Sequence, residues 1–79
     1  MDRKDVYNLI DAERDYQDTL GSDRVDGHKH LVGEELVLLQ VYTQKALDAW
    51  VNNPGEIKAM AVVLKVAAIA VRCIENNTP

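Results

Sequence analysis

Residues 56–76 read EIKAMAVVLKVAAIAVRCIEN. The run is apolar nearly all round. Its interruptions are Lys58, Lys65 and Arg72, with Glu56 and Glu75 near the ends. A spacing of seven is close to two helical turns, so the three cations share one stripe of a helix. Val and Ile also suit strands, but a strand of that length lies far outside the usual range. The stretch is therefore read as a helix, and a helix with a single polar stripe needs cover over most of its circumference. A chain of 79 residues forms one small domain, residues 1–79, with little else to supply that cover. A single cysteine offers no internal staple. A second copy is the expected solution. Burying ~1,000 Å² of apolar surface is worth on the order of 25 kcal/mol before entropy costs. The alternative is a compact monomeric three-helix bundle with an exposed apolar flank.

Working back along the chain, Asn53 and Pro54 read as N-cap and first helical position of that last helix. Before them, Val32, Leu36, Leu39, Thr43, Ala46 and Trp50 alternate steps of three and four, a seam that faces a partner helix. Leu38, Tyr42 and Ala49 add a flanking stripe, and Glu34 and Glu35 suit the positive end of this helix. The stretch Gly21–His30 is rich in turn formers and has no period, so it reads as a long loop. Gly21, Gly27, Gly33 and Gly55 read as turn or cap residues. The first segment begins at Asp2 as N-cap, and Val6, Leu9, Ile10, Tyr16 and Leu20 give it a narrow apolar stripe with a gap at Glu13. The expected fold is all-α, with three helices at about 2–20, 32–51 and 54–76. The last two form a hairpin at the centre of an oligomeric helical bundle, with the first packed outside.

Composition narrows the function. A hydrophobic share of 47% is too high for a disordered chain, and a net charge of −4 disfavours binding to DNA or RNA. The polar start, Met1 to Asp5, has no apolar segment behind it, and no stretch reaches the ~20 residues of a membrane span. Cys73 inside an apolar segment reads as a small buried hydrophobe in a reducing cytosol. The expectation is a soluble cytoplasmic protein with no membrane partner.

Three sets of residues carry possible chemistry. Asp11, Asp15 and Asp18 lie on one face of the first helix and, with Glu34 or Glu35, can present oxygen ligands to a divalent cation; the plainer reading is a solvated acidic face. His30 stands four residues before Glu34, a spacing for a metal or proton-transfer pair, or simply for a hydrogen bond fixing the helix entry. Lys58, Lys65 and Arg72 read first as the wet side of the third helix, reaching carboxylates on the first helix. Their functional reading is anion capture, joined by Arg14, Arg24, Lys29 or Lys45. Tyr16, Tyr42 and Trp50 offer stacking faces, although Trp50 on the seam reads as core. No glycine-rich phosphate loop, nucleophile elbow or cysteine-based zinc pattern is present.

The runs Glu13-Arg14-Asp15-Tyr16-Gln17-Asp18, Gly33-Glu34-Glu35, Lys45-Ala46-Leu47-Asp48-Ala49-Trp50 and Lys65-Val66-Ala67-Ala68-Ile69-Ala70-Val71-Arg72-Cys73 together resemble a group of small bacteriophage-encoded helical proteins. The likeness spans most of the chain and rests on packing patterns. It implies a phage accessory protein in the cytoplasm of an infected bacterium. In size, helical plan and expected assembly the chain also resembles phage counter-defence sponges of the anti-CBASS type, which sequester cyclic nucleotide signals without cleaving them. A further resemblance is to MazG-like nucleoside triphosphate pyrophosphohydrolases, all-α oligomers with paired Glu-x-x-Glu and Glu-x-x-Asp metal ligands. Asp15 and Asp18 match one such spacing, whereas Val37 and Leu38 stand three residues after Glu34 and Glu35.

The reading that results is a non-catalytic homo-oligomer, joined through helices two and three, that binds a small anionic nucleotide without a cofactor. Arg14, Arg24, Lys29 and Lys45 would meet phosphate, Tyr16 or Tyr42 would stack, and Gln17 and His30 would hydrogen-bond. The alternatives are a magnesium-dependent pyrophosphohydrolase using Asp11, Asp15, Asp18, Glu34 and Glu35, and a protein that binds and inhibits a host protein.

Overall fold

The computed structural model describes residues 1–20, 24–25, 28–52 and 56–79, with backbone alone at 24–25 and 28–29. Three helices carry the fold: α1 (Arg3–Leu20), α2 (Val32–Asn52) and α3 (Glu56–Asn77). Each agrees with its expected span to within two residues. The Asn53–Pro54 restart and the turn roles of Gly21, Gly27 and Gly55 lie outside the described residues. Between α1 and α2 the described residues include a miniature antiparallel pair, β1 (Arg24–Val25) and β2 (His28–Lys29), with Arg24 opposite Lys29 and Val25 opposite His28.

The helix starts follow from local chemistry. Asp2 caps α1, its Oδ1 accepting the Asp5 N–H at 2.9 Å. At the start of α2, Glu34 reaches back so that its Oε1 accepts the Leu31 N–H at 2.7 Å, the carboxylate half of a capping box. Gly33 is thus a residue of the first turn of α2 rather than a cap.

α2 and α3 pack as a hairpin, and α1 lies against α3. The buried apolar residues among those described are Ala46, Ala59, Ala68 and Ile69. Three of the four are alanines, so the backbones approach closely but little apolar area is hidden. Several expectations change as a result. On α2 the line turned toward α3 runs through Glu35, Tyr42, Ala46 and Ala49, while Val32, Leu36, Thr43 and Trp50 of the expected seam stand exposed. Trp50 is 59% exposed and is not core. α1 turns a polar face inward, burying Arg14 and Gln17, and leaves Val6, Leu9, Tyr16 and Leu20 exposed. The gap at Glu13 marked the true packing side. Cys73 is half-buried and free. Among the described residues no helix is long and apolar enough to cross a membrane.

Candidate functional site

The hairpin places Glu35, in the first turn of α2, opposite Arg72, near the end of α3. Glu35 lies at the helix end that favours a carboxylate. Arg72 donates through Nε to Glu35 Oε1 at 3.0 Å and through Nη2 to Oε2 at 2.8 Å, a planar fork on a carboxylate. Glu35 has no solvent exposure and Arg72 has 2%. Arg72 therefore leaves the wet stripe assigned to it with Lys58 and Lys65, which are exposed. Its partner is on α2, not α1. The charge pairing between α1 and α3 runs the other way, from Arg14 on α1 to Glu75 on α3, through Nε to Oε1 and Nη2 to Oε2, both at 3.1 Å. Arg14 Nη1 also holds Asp18 at 3.0 Å and Gln17 at 3.4 Å. The hydrogen bond to Glu75 raises the Arg14 pKa most, burial opposes it, and Asp18 adds to the rise.

His30 completes the buried polar group. Its pairing is with Glu35 rather than Glu34: Nδ1 lies 3.6 Å from Glu35 Oε1, just beyond hydrogen-bond reach. This nitrogen has no hydrogen-bond partner among the described residues, although the side chain is only 10% exposed. A buried polar atom without a hydrogen bond is costly.

Beside His30 the three helices border a half-open cavity of about 200 Å³. Its apolar walls are Tyr16 and Leu20 from α1, Leu38 and Tyr42 from α2, and Ile69 from α3. Its polar groups are Glu13, Gln17, His30, Lys65 and Arg72. Apolar walls with a few convergent polar groups are the usual make-up of a small-ligand site, and the volume falls below the ~300–1,000 Å³ that holds drug-sized molecules. One ring system fits. Lys65 and Glu13 oppose one another in charge, and Arg72 is already held by Glu35, so the cavity itself is not a strongly cationic hole.

Of the residues expected to bind, the structure gathers Tyr16, Gln17, His30 and Tyr42 around this cavity. Arg14 stands outside it, engaged by Glu75 and Asp18. Lys45 lies with Nζ 4.6 Å from the centre of the Tyr42 ring, a cation–π contact and not a cavity wall. The side chains of Arg24 and Lys29 lie outside the description. The alternative metal set is dispersed among other tasks: Glu34 caps α2, Glu35 holds Arg72 and Asp18 holds Arg14. Among the described residues no group of three or more His, Cys, Asp or Glu is placed to hold a metal ion.

Lys65 and Arg72 were noticed only as part of a stripe, and Glu13, Leu20, Leu38 and Ile69 carried no site signal. The one available hint was Glu13 with Gln17, four apart, interrupting the apolar stripe of α1. No known family, curated protein or solved structure matches this chain. The site thus stands on its own geometry.

Proposed function

We propose that this chain is a non-catalytic, homo-oligomeric binding protein that sequesters a small anionic nucleotide, taking its base into the three-helix cavity. The observation that carries the reading is the convergence of two tyrosines with Gln17 and His30 on one ring-sized space. Aromatic faces hold bases by stacking, worth about 1–3 kcal/mol per base. Gln17 and His30 supply directional contacts, and Lys65 meets phosphate at the rim, with Arg24 and Lys29 of the connection as further phosphate partners. The cavity admits one base, so a cyclic oligonucleotide would enter by a single base with its phosphates outside. A counter-defence role in an infected bacterium, against a cyclic nucleotide signal, follows from the resemblance to phage sponges. The oligomeric part is supported by the extent of exposed apolar side chains on α2 and α3.

The test is calorimetry with nucleoside monophosphates and with cyclic di- and trinucleotides, beside depletion of a mixed nucleotide pool by purified protein. Saturable binding of at least one nucleotide, unchanged by magnesium and without turnover, is the expected result. Silence in both assays overturns the reading, and release of pyrophosphate would replace it with hydrolysis.

A further inference from the structure

We propose that the face of the α2–α3 hairpin turned away from α1 is a homodimer interface, at which two copies close a four-helix bundle. This rests on the homo-oligomeric part of the function above and assigns its surface and symmetry.

Two apolar seams run along that face. On α2 it is Leu36, Leu39, Thr43, Leu47 and Trp50, and on α3 it is Met60, Val63, Ala67, Ala70 and Ile74. Steps of three and four recur in both, the spacing by which helices mesh at a shallow crossing angle. Neither seam contains a charged residue. Each residue turns a helix by about 100°. Leu36 and Thr43 each follow a residue of the inner line of α2, Glu35 and Tyr42. Val63 and Ala70 each follow a less exposed residue of α3, Val62 and Ile69. Both seams are therefore displaced in the same rotational sense from their inner lines, and on antiparallel helices that puts them on one side of the hairpin. Glu75, which holds α1, is displaced from Ile69 by about 120° in the other sense. α1 and the cavity thus occupy the opposite side.

The surface on this side is uncovered. Trp50 and Met60 are each 59% exposed and Ile74 is 63% exposed. The α2 seam also borders a shallow, open trough lined by Leu39, Gln40, Thr43, Gln44 and Leu47. On α3, Ala67 and Ala70 let a second backbone approach.

The exposed area is sufficient for a second copy. The chain exposes 5786 Å², whereas a compact monomer of 8.9 kDa exposes about 4,800 Å². The excess, roughly 1,000 Å², matches the ~800 Å² per partner of a stable interface. The Cα radius of gyration agrees, at 13.2 Å against about 11.6 Å for a compact domain of this length. A two-fold pairing of like faces satisfies both copies at once and leaves no open end. Val37, Val41 and Val51, also exposed on α2, share their side of the helix with Lys45 and Asp48 and do not make a continuous seam.

The test is sedimentation of the full chain at micromolar concentration, with emission of the lone tryptophan, Trp50, followed on dilution. The wild type is expected at twice 8.9 kDa, with red-shifting emission as dilution separates the copies. Leu36→Glu and Val63→Lys are each expected to weaken dimerisation at least about a hundredfold, since a charge buried without a partner costs several kcal/mol. Val37→Glu is expected to leave the dimer intact. Helical content by circular dichroism identifies any variant that has unfolded, and the wild-type Trp50 shift then decides alone. A monomeric wild type overturns the interface and the oligomeric part together, and nucleotide calorimetry still judges the cavity separately. An oligomer with unchanged Trp50 emission and intact seam variants overturns this face while keeping the oligomer. Because the cavity lies on the far side, monomeric Leu36→Glu should bind nucleotide as the wild type does.

Discussion

Arg72 grips both carboxylate oxygens of Glu35 across the α2–α3 hairpin, 37 residues apart in sequence and with neither side chain open to solvent. In so small a core this pair occupies the place that a Leu or Ile would normally fill. A buried ion pair gives weak net stabilisation but is very sensitive to loss of one partner, because the survivor keeps its desolvation cost. It fixes the register of the hairpin, since sliding α3 by one turn would strand both charges.

Arg72→Met is therefore expected to destabilise the fold by about 3–5 kcal/mol, read as a lower urea midpoint. Combining it with Glu35→Leu should recover most of that loss, since neither charge is then left alone. A double variant as unstable as the single one would show that the fork itself, and not its desolvation balance, holds the hairpin.

α1 is held differently, by Arg14 on Glu75 and by a polar face over α3. The Glu75 side chain is 51% exposed, so solvent screens the pair. Arg14→Ala is expected to cost about 1 kcal/mol globally, a figure already discounted for that screening, and to act locally. Hydrogen exchange should quicken along α1 while α2 and α3 keep their protection, the pattern of one helix opening by itself. Uniform acceleration across all three helices would contradict this.

How much of this was legible in the sequence depends on the kind of signal. Helix spans were readable because periodicity and caps are local: Asp2 does cap α1, and the apolar run from Ile57 does form α3. The faces were not readable. Periodicity reports that Val32, Leu36 and Trp50 share a stripe, but it cannot say whether that stripe meets the same chain or another. Arg72 misled for the same reason: seven-residue spacing put it with Lys58 and Lys65, and only the hairpin reveals that Glu35 pulls it inward. Tyr16, Gln17, His30 and Tyr42 were singled out for their chemistry, and the cavity that gathers them depends on α1 crossing α3, which no local pattern encodes.

The caps give a separate test of local determinants. Asp2→Ala removes the acceptor for the Asp5 N–H and is expected to cost ~1 kcal/mol, seen as fraying of the first turn of α1 by circular dichroism and exchange. Glu34→Ala should fray the start of α2 in the same way, because the Leu31 N–H loses its only side-chain acceptor among the described residues. If Glu34→Ala instead abolished nucleotide binding while leaving helix content unchanged, its carboxylate would have a ligand role that its position as a cap does not suggest.

The cavity residues should separate stacking from charge. Tyr42→Leu and Tyr16→Leu remove ring faces while keeping the walls apolar, and each is expected to weaken nucleotide affinity roughly five- to a hundredfold, as stacking energies of about 1–3 kcal/mol require. Lys65→Gln should act through electrostatics instead. Affinity should fall modestly, and the loss should shrink as salt rises, because an exposed cation–phosphate contact is screened over about 10 Å at 0.1 M salt. Lys45→Ala provides the contrast, since Lys45 touches the Tyr42 ring without lining the cavity. Its removal costs at most about 1 kcal/mol of local packing and should leave affinity nearly unchanged. Equal losses at Lys45 and Lys65 would mean that phosphate lies over the outer face of Tyr42, and the ligand would then have to be placed against α2 rather than between the three helices.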